Sequence, residues 1–183
     1  MLIHNYGMFW LEANVFWGRP KREGSLLGYC ENDKKSGNID FREQSGIYAL
    51  YANYELIYAG QVGGKDQKLF DRLKQHRKDL AGRWNMFSWF GTRKVLEDKS
   101  LKAEKIAAHP SHKMVLDHLE AVLIAVAEPR LNRQGGKWGE GVDQYLQIRD
   151  VRLGCEMEAL VKEMHADMKT FINQKLPRKT ASA

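Results

Sequence analysis

The run Leu119-Glu-Ala-Val-Leu-Ile-Ala-Val-Ala127 sets the hardest constraint on how this chain can fold, because one charge, Glu120, sits among eight apolar residues. A helix that is apolar on nearly every side is built for burial. A carboxylate carried inside with it is costly unless it is hydrogen-bonded, paired or set against a cation. The pattern predicts a buried helix over 112–128, capped by Ser111 and stopped by Pro129. It singles out Glu120 as a buried acid in need of a partner.

The rest of the composition narrows that partner. At 183 residues, 43% of them hydrophobic, the chain suits one domain with a small elaboration. A net charge of +6 favours an anionic partner, nucleic acid first, although charge on this scale also serves solubility. Cys30 and Cys155 read as two free thiols in a reducing compartment rather than a disulfide. With neither a basic leader nor a membrane-length apolar span, the expectation is a cytoplasmic protein without membrane contact.

Along the chain, Phe9–Trp17 and Leu26–Cys30 have strand character, with glycines and the 32–35 cluster as turns. Gly46–Ala52 and Leu56–Val62 read as a hairpin, and 86–96 as a third strand. Between them a helix runs to about Leu80, with Leu69, Leu73 and Leu80 on its apolar stripe. Arg72 and His76, four residues apart, stack at the edge of that stripe, where side chains line clefts. Beyond 141, Met157, Leu160, Val161, Met164, Met168 and Phe171 recur at helical spacing, as an amphipathic helix packing on the core or on a partner. The tail from Pro177 reads as disordered.

Gly46-Ile47-Tyr48, then Tyr58-Ala59-Gly60 ten positions after the first tyrosine, then Arg72 and His76, Glu120 and Asn132 form an ordered set. In this set the chain resembles the GIY-YIG endonuclease family over about residues 45–135. Ala59 stands where isoleucine is usual, and the loop before Arg72, which holds Lys65, is longer than in the shortest members. The resemblance implies an α+β fold: a small three-stranded antiparallel sheet flanked by helices, here with extra N-terminal strands and a C-terminal amphipathic helix. It sets a catalytic domain at 45–135; the flanks, which carry no resemblance, are an N-terminal extension at 1–44 with DNA recognition as a candidate role, a C-terminal loop and helix at 136–176 that packs on the core or a partner, and a tail at 177–183. The implied activity is metal-dependent hydrolysis of DNA phosphodiester bonds, in a restriction-like or phage-associated setting. The catalytic residues it implies are Tyr48, Tyr58, Arg72, His76, Glu120 and Asn132.

The chemistry suits those residue types. One hard divalent ion, Mg²⁺ with Mn²⁺ as a substitute, could be held by Glu120 and the scissile phosphate. Arg72 can grip phosphate oxygens through its planar fork. Tyr48 is favoured as the base-side phenol with Tyr58 as its support. Either phenol, ionising near pH 10 when free, needs a cation beside it to act as a base. His76 orients a tyrosine or touches phosphate, and Asn132 steadies the Glu120 loop. Lys65, Lys68, Lys74, Arg77, Lys78 and Arg83, with Lys137 further on, form a belt that can track a DNA backbone. Plainer readings stand beside these: strand tyrosines, a solvated helix face, a structural Glu120–Arg72 pair, tryptophans that pack the core. A silent nucleic-acid-binding module that keeps the basic belt is the rival function, and a homodimer through the C-terminal helix is a further possibility.

Overall fold

The computed structural model describes residues 2–30, 37–63, 67–103, 112–128, 135, 138 and 141–175. Two compact units divide the chain, Met1–Arg149 and Asp150–Ala183. The first contains β1 (Asn5–Leu11), β2 (Leu27–Cys30), β3 (Ile39–Asp40), β4 (Gly46–Ala52), β5 (Glu55–Val62), α1 (Leu69–Asp79), β6 (Met86–Gly91), α2 (His112–Ala127) and β7 (Asp143–Gln147). The second contains α3 (Val151–Lys175). Among the described residues no helix is long and apolar enough to cross a membrane.

The expected small three-stranded sheet is corrected. All seven strands form one mixed sheet in the order β3-β2-β7-β1-β6-β4-β5. The hairpin β4–β5 and strand β6 make up one end of it. β1 joins the free edge of β6 in antiparallel register, and β7 runs parallel to β1. An unpaired β6 edge would leave backbone donors and acceptors open. Pairing with β1 closes it and brings Trp10 edge-on to Trp89 and Phe87. The N-terminal strands are therefore part of the same sheet as the hairpin.

Two strand boundaries also move. The first strand ends at Leu11, because Glu12–Asn14 turn as a 3-10 helix. A bulge at Met8 and Phe9, with Phe9 at φ +49°, shifts its register on β6. The strand expected over 86–96 stops at Gly91, where its partner β4 begins at Gly46 and the ladder runs out.

Strand alternation sorts the core into two layers. Tyr48 and Leu50 of β4, with Phe87 and Trp89 of β6, face Leu69, Phe70 and Leu73 of α1. Ile47, Ala49 and Tyr51 face the other way, where Phe90 and Met86 pack with Val122 and Val126 of α2. So α1 and α2 cover opposite faces of the sheet. Trp10, Trp17, Trp84 and Trp89 are all buried in the α1 layer, as expected of core tryptophans. Cys30 is a buried free thiol.

Candidate active site

The hairpin that carries both tyrosines is set by its turn. Asn53 and Tyr54 both have positive φ, +49° and +73°, the requirement of a tight two-residue connection. Asn85 pins this turn, accepting from the Asn53 amide at 2.9 Å and donating to its side-chain oxygen at 2.7 Å. Tyr48 then pairs with Gly60 and Leu50 with Tyr58, so the two phenols share the α1 face. The two rings stack at 6.1 Å.

Gly60, the last residue of the second triplet, has a steric reason to be glycine. A Cβ there would lie 2.4 Å from the Tyr48 hydroxyl and 2.6 Å from Cζ. The phenol lies across a backbone with no room for a side chain.

α1 delivers the guanidinium and the imidazole. Its first amides are taken by the chain just before β4: Leu69 N–H donates to the Gln44 carbonyl, and Phe70 N–H to that of Arg42. This seats the helix on the hairpin without a side-chain cap. His76 falls inside the buried stripe with Leu69, Phe70 and Leu73, rather than at its edge, while Arg72 is half-buried at the rim.

The four groups meet. Arg72 Nε donates to the Tyr48 hydroxyl oxygen at 3.3 Å, and His76 Nε2 lies 2.8 Å from the same oxygen. Tyr58 joins them through its ring, which packs on the His76 ring at 4.8 Å. His76 Nδ1 is buried without a partner among the described residues. A buried orphan donor is rarer and costlier than an orphan acceptor, so the proton belongs on Nε2. The imidazole and Arg72 then both donate to the Tyr48 oxygen.

Electrostatics agree with an anion-accepting cluster in which Arg72 carries the one positive charge beside a neutral imidazole and neutral phenols. Burial first, then the Arg72 charge, holds the His76 pKa below its usual value, with Asp79 opposing. Burial pushes the Tyr48 phenol up, opposed by its hydrogen bond from Arg72. Arg72 also donates from Nη1 to Gln75 at 2.8 Å, which fixes the fork and leaves donors over for a bound anion. Gln75 was legible as the residue one turn beyond Arg72, and sequence reasoning passed it by.

Glu120 is corrected. It is exposed on α2, on the outer face with Leu116, Leu119 and Leu123, themselves 52, 45 and 65% exposed. Among its described side chains the helix buries His118, Ala121 and Val122, with Met114, Val115, Asp117 and Ile124 to Val126 half-buried. Uniform apolarity thus did not mean burial on every side. Because α2 lies on the other face from α1, the structure does not bring Glu120 to the phenol cluster. Arg72 and Asp79 are the charges acting on His76. Two phenols, a guanidinium and a neutral imidazole form a donor set for an anion, and among the described residues no three His, Cys, Asp or Glu stand together. The residues at the cluster do not fit a divalent ion held there by Glu120.

Of the basic belt, Lys74, Arg77, Lys78 and Arg83 are exposed and Lys68 is half-buried. Arg77 is committed elsewhere: it pairs with Glu12 and lies 4.8 Å over the Trp17 ring. Lys74 sits 5.8 Å over Phe70. Lys65, Asn132 and Lys137 lie outside the described residues.

No protein-family model, curated protein or solved structure matches this chain.

Proposed function

We propose that this chain is an endonuclease that hydrolyses DNA phosphodiester bonds, with the Tyr48–Tyr58–Arg72–His76 cluster as its centre. The observation that carries the reading is that two strands and one helix converge on a single phenol oxygen, with Arg72 at 3.3 Å and His76 at 2.8 Å. The same four residues underlie the resemblance to GIY-YIG nucleases.

Accessibility reverses the roles of the two tyrosines. Tyr48 is 0% exposed, whereas Tyr58 is half-exposed. Tyr58 is the phenol that can meet a water or a phosphate, and Tyr48 is a positioning residue behind it. Arg72 binds the phosphate and the charge that grows on it during attack. His76, neutral and buried, fixes Tyr48. A cytoplasmic setting accompanies this reading.

Supercoiled-plasmid nicking with Mg²⁺, with Mn²⁺ and with chelator tests it, the cation being a variable of the assay. Tyr58→Phe and Arg72→Ala should each lower cleavage by about 10²–10⁴-fold, the usual weight of a proton-transfer group or a charge-stabilising donor. DNA binding should survive in Tyr58→Phe. Wild-type protein that binds DNA but never nicks it with any divalent cation would establish the second reading, a silent binding module. The specific observation favouring that module is the exposed, remote Glu120. Glu120→Gln separates the roles of that acid: unchanged nicking means that cleavage does not need it.

A further inference from the structure

The second unit presents an apolar stripe with a regular period. Met157, Val161, Met164, Met168 and Phe171 follow one another at spacings of 4, 3, 4 and 3 along α3. Each remains 57 to 62% exposed. That spacing repeats the seam pattern of paired helices over two heptads. The charges along the same stretch are of both signs, Glu156, Glu158, Glu163 and Asp167 with Lys162 and Lys169.

We propose that α3 pairs with α3 of a second copy of this chain as a two-helix coiled coil. The occupant has to be a helix with the same repeat over the same length, and a second copy supplies one by construction. The other apolar stripe among the described residues, Leu116, Leu119 and Leu123 of α2, spans only half that length. The area is adequate for a modest interface. Five side chains still more than half exposed offer on the order of 500 Å² per helix, and a pair would bury about 1,000 Å², the lower bound for a specific contact. Methionines at three of the five positions suit such a seam, since they adapt to the facing side chains. This inference is independent of the nuclease reading.

Sedimentation velocity on the full chain from about 1 to about 100 μM, the range for a modest interface, tests it. The mass should rise with concentration toward twice the 21.1 kDa of one chain. Val161→Glu with Met164→Glu should hold the protein at a single chain mass, with the thermal transition of the first unit unchanged as a control for folding. Met164→Leu with Met168→Leu should tighten the dimer by about tenfold, since leucine fills a seam position with less side-chain flexibility than methionine. A monomer at every concentration would overturn the proposal, whether the stripe folds back or waits for a different protein. So would a dimer that survives the two glutamates, or one that the leucines fail to tighten.

Discussion

Gly60→Ala tests the architecture of the site through one methyl group. The new Cβ would sit 2.4 Å from the Tyr48 hydroxyl, 2.6 Å from Cζ and 2.9 Å from Cε1. Ordinary contact begins near 3.4 Å, so the hydroxyl must withdraw by 3.4 minus 2.4, or 1.0 Å, in a layer where Tyr48, Leu50 and Trp89 are all fully buried. That movement breaks the 2.8 Å bond to His76 and the 3.3 Å bond from Arg72. Overpacking of this kind costs about 1–3 kcal/mol, and each net hydrogen bond lost adds about 1 kcal/mol. The expected loss is about 3–5 kcal/mol, or a fall in Tm of roughly 6–20 °C for a unit of this size. Urea unfolding of Gly60→Ala, of Tyr48→Leu and of the double variant closes a cycle. If the methyl acts through the phenol, its penalty largely disappears once Tyr48 is leucine, leaving a coupling of about 3 kcal/mol. Additive penalties would refute the reasoning, because glycine would then be needed for its backbone and not for the ring above it.

Other expectations follow from the same geometry. Arg77→Ala should lower stability by about 1–2 kcal/mol, through its lost pairing with Glu12 and stacking on Trp17, and barely change DNA affinity. Arg83→Ala should instead reduce the salt slope of DNA binding by about one and leave stability unchanged; filter binding across a salt series compares the two. Burial is the largest cause holding His4, His76 and His118 below the usual histidine value. The unfolded chain then binds protons more readily, so stability is complete above about pH 6.5 and declines as pH falls through that value. Urea midpoints taken from about pH 7.5 down to about pH 5.5 should fall, and His76→Gln should flatten the slope; midpoints that rise toward acid contradict the assignment.

How far the site could be read in advance depended on the range of each signal. The hairpin, the helix holding Arg72 and His76, and the shared face of the tyrosines follow from periods of 2 and 3.6, which are properties of neighbouring residues. His76 was misjudged by one helical step, edge instead of interior, because only the packed sheet shows how wide the buried stripe of α1 is. Which of Tyr48 and Tyr58 is the exposed one was likewise out of reach: strand alternation puts both on one face, and packing buries one and leaves the other half-exposed.

The local code by itself marked the hairpin, the helix that carries Arg72 and His76, the helices at 112–128 and in the C-terminal segment, and the charge, and it left β3 and β7 unmarked. Tertiary structure alone decided that β1 and β7 extend the sheet, that α1 and α2 cover opposite faces, and that Glu120 is turned outward. Those outcomes depend on which strand edge finds which partner and on which side of a helix meets the sheet. Both are settled by pairing and packing between residues far apart in the chain, and a run of apolar letters such as 119–127 looks the same whether one side of it is covered or all of it.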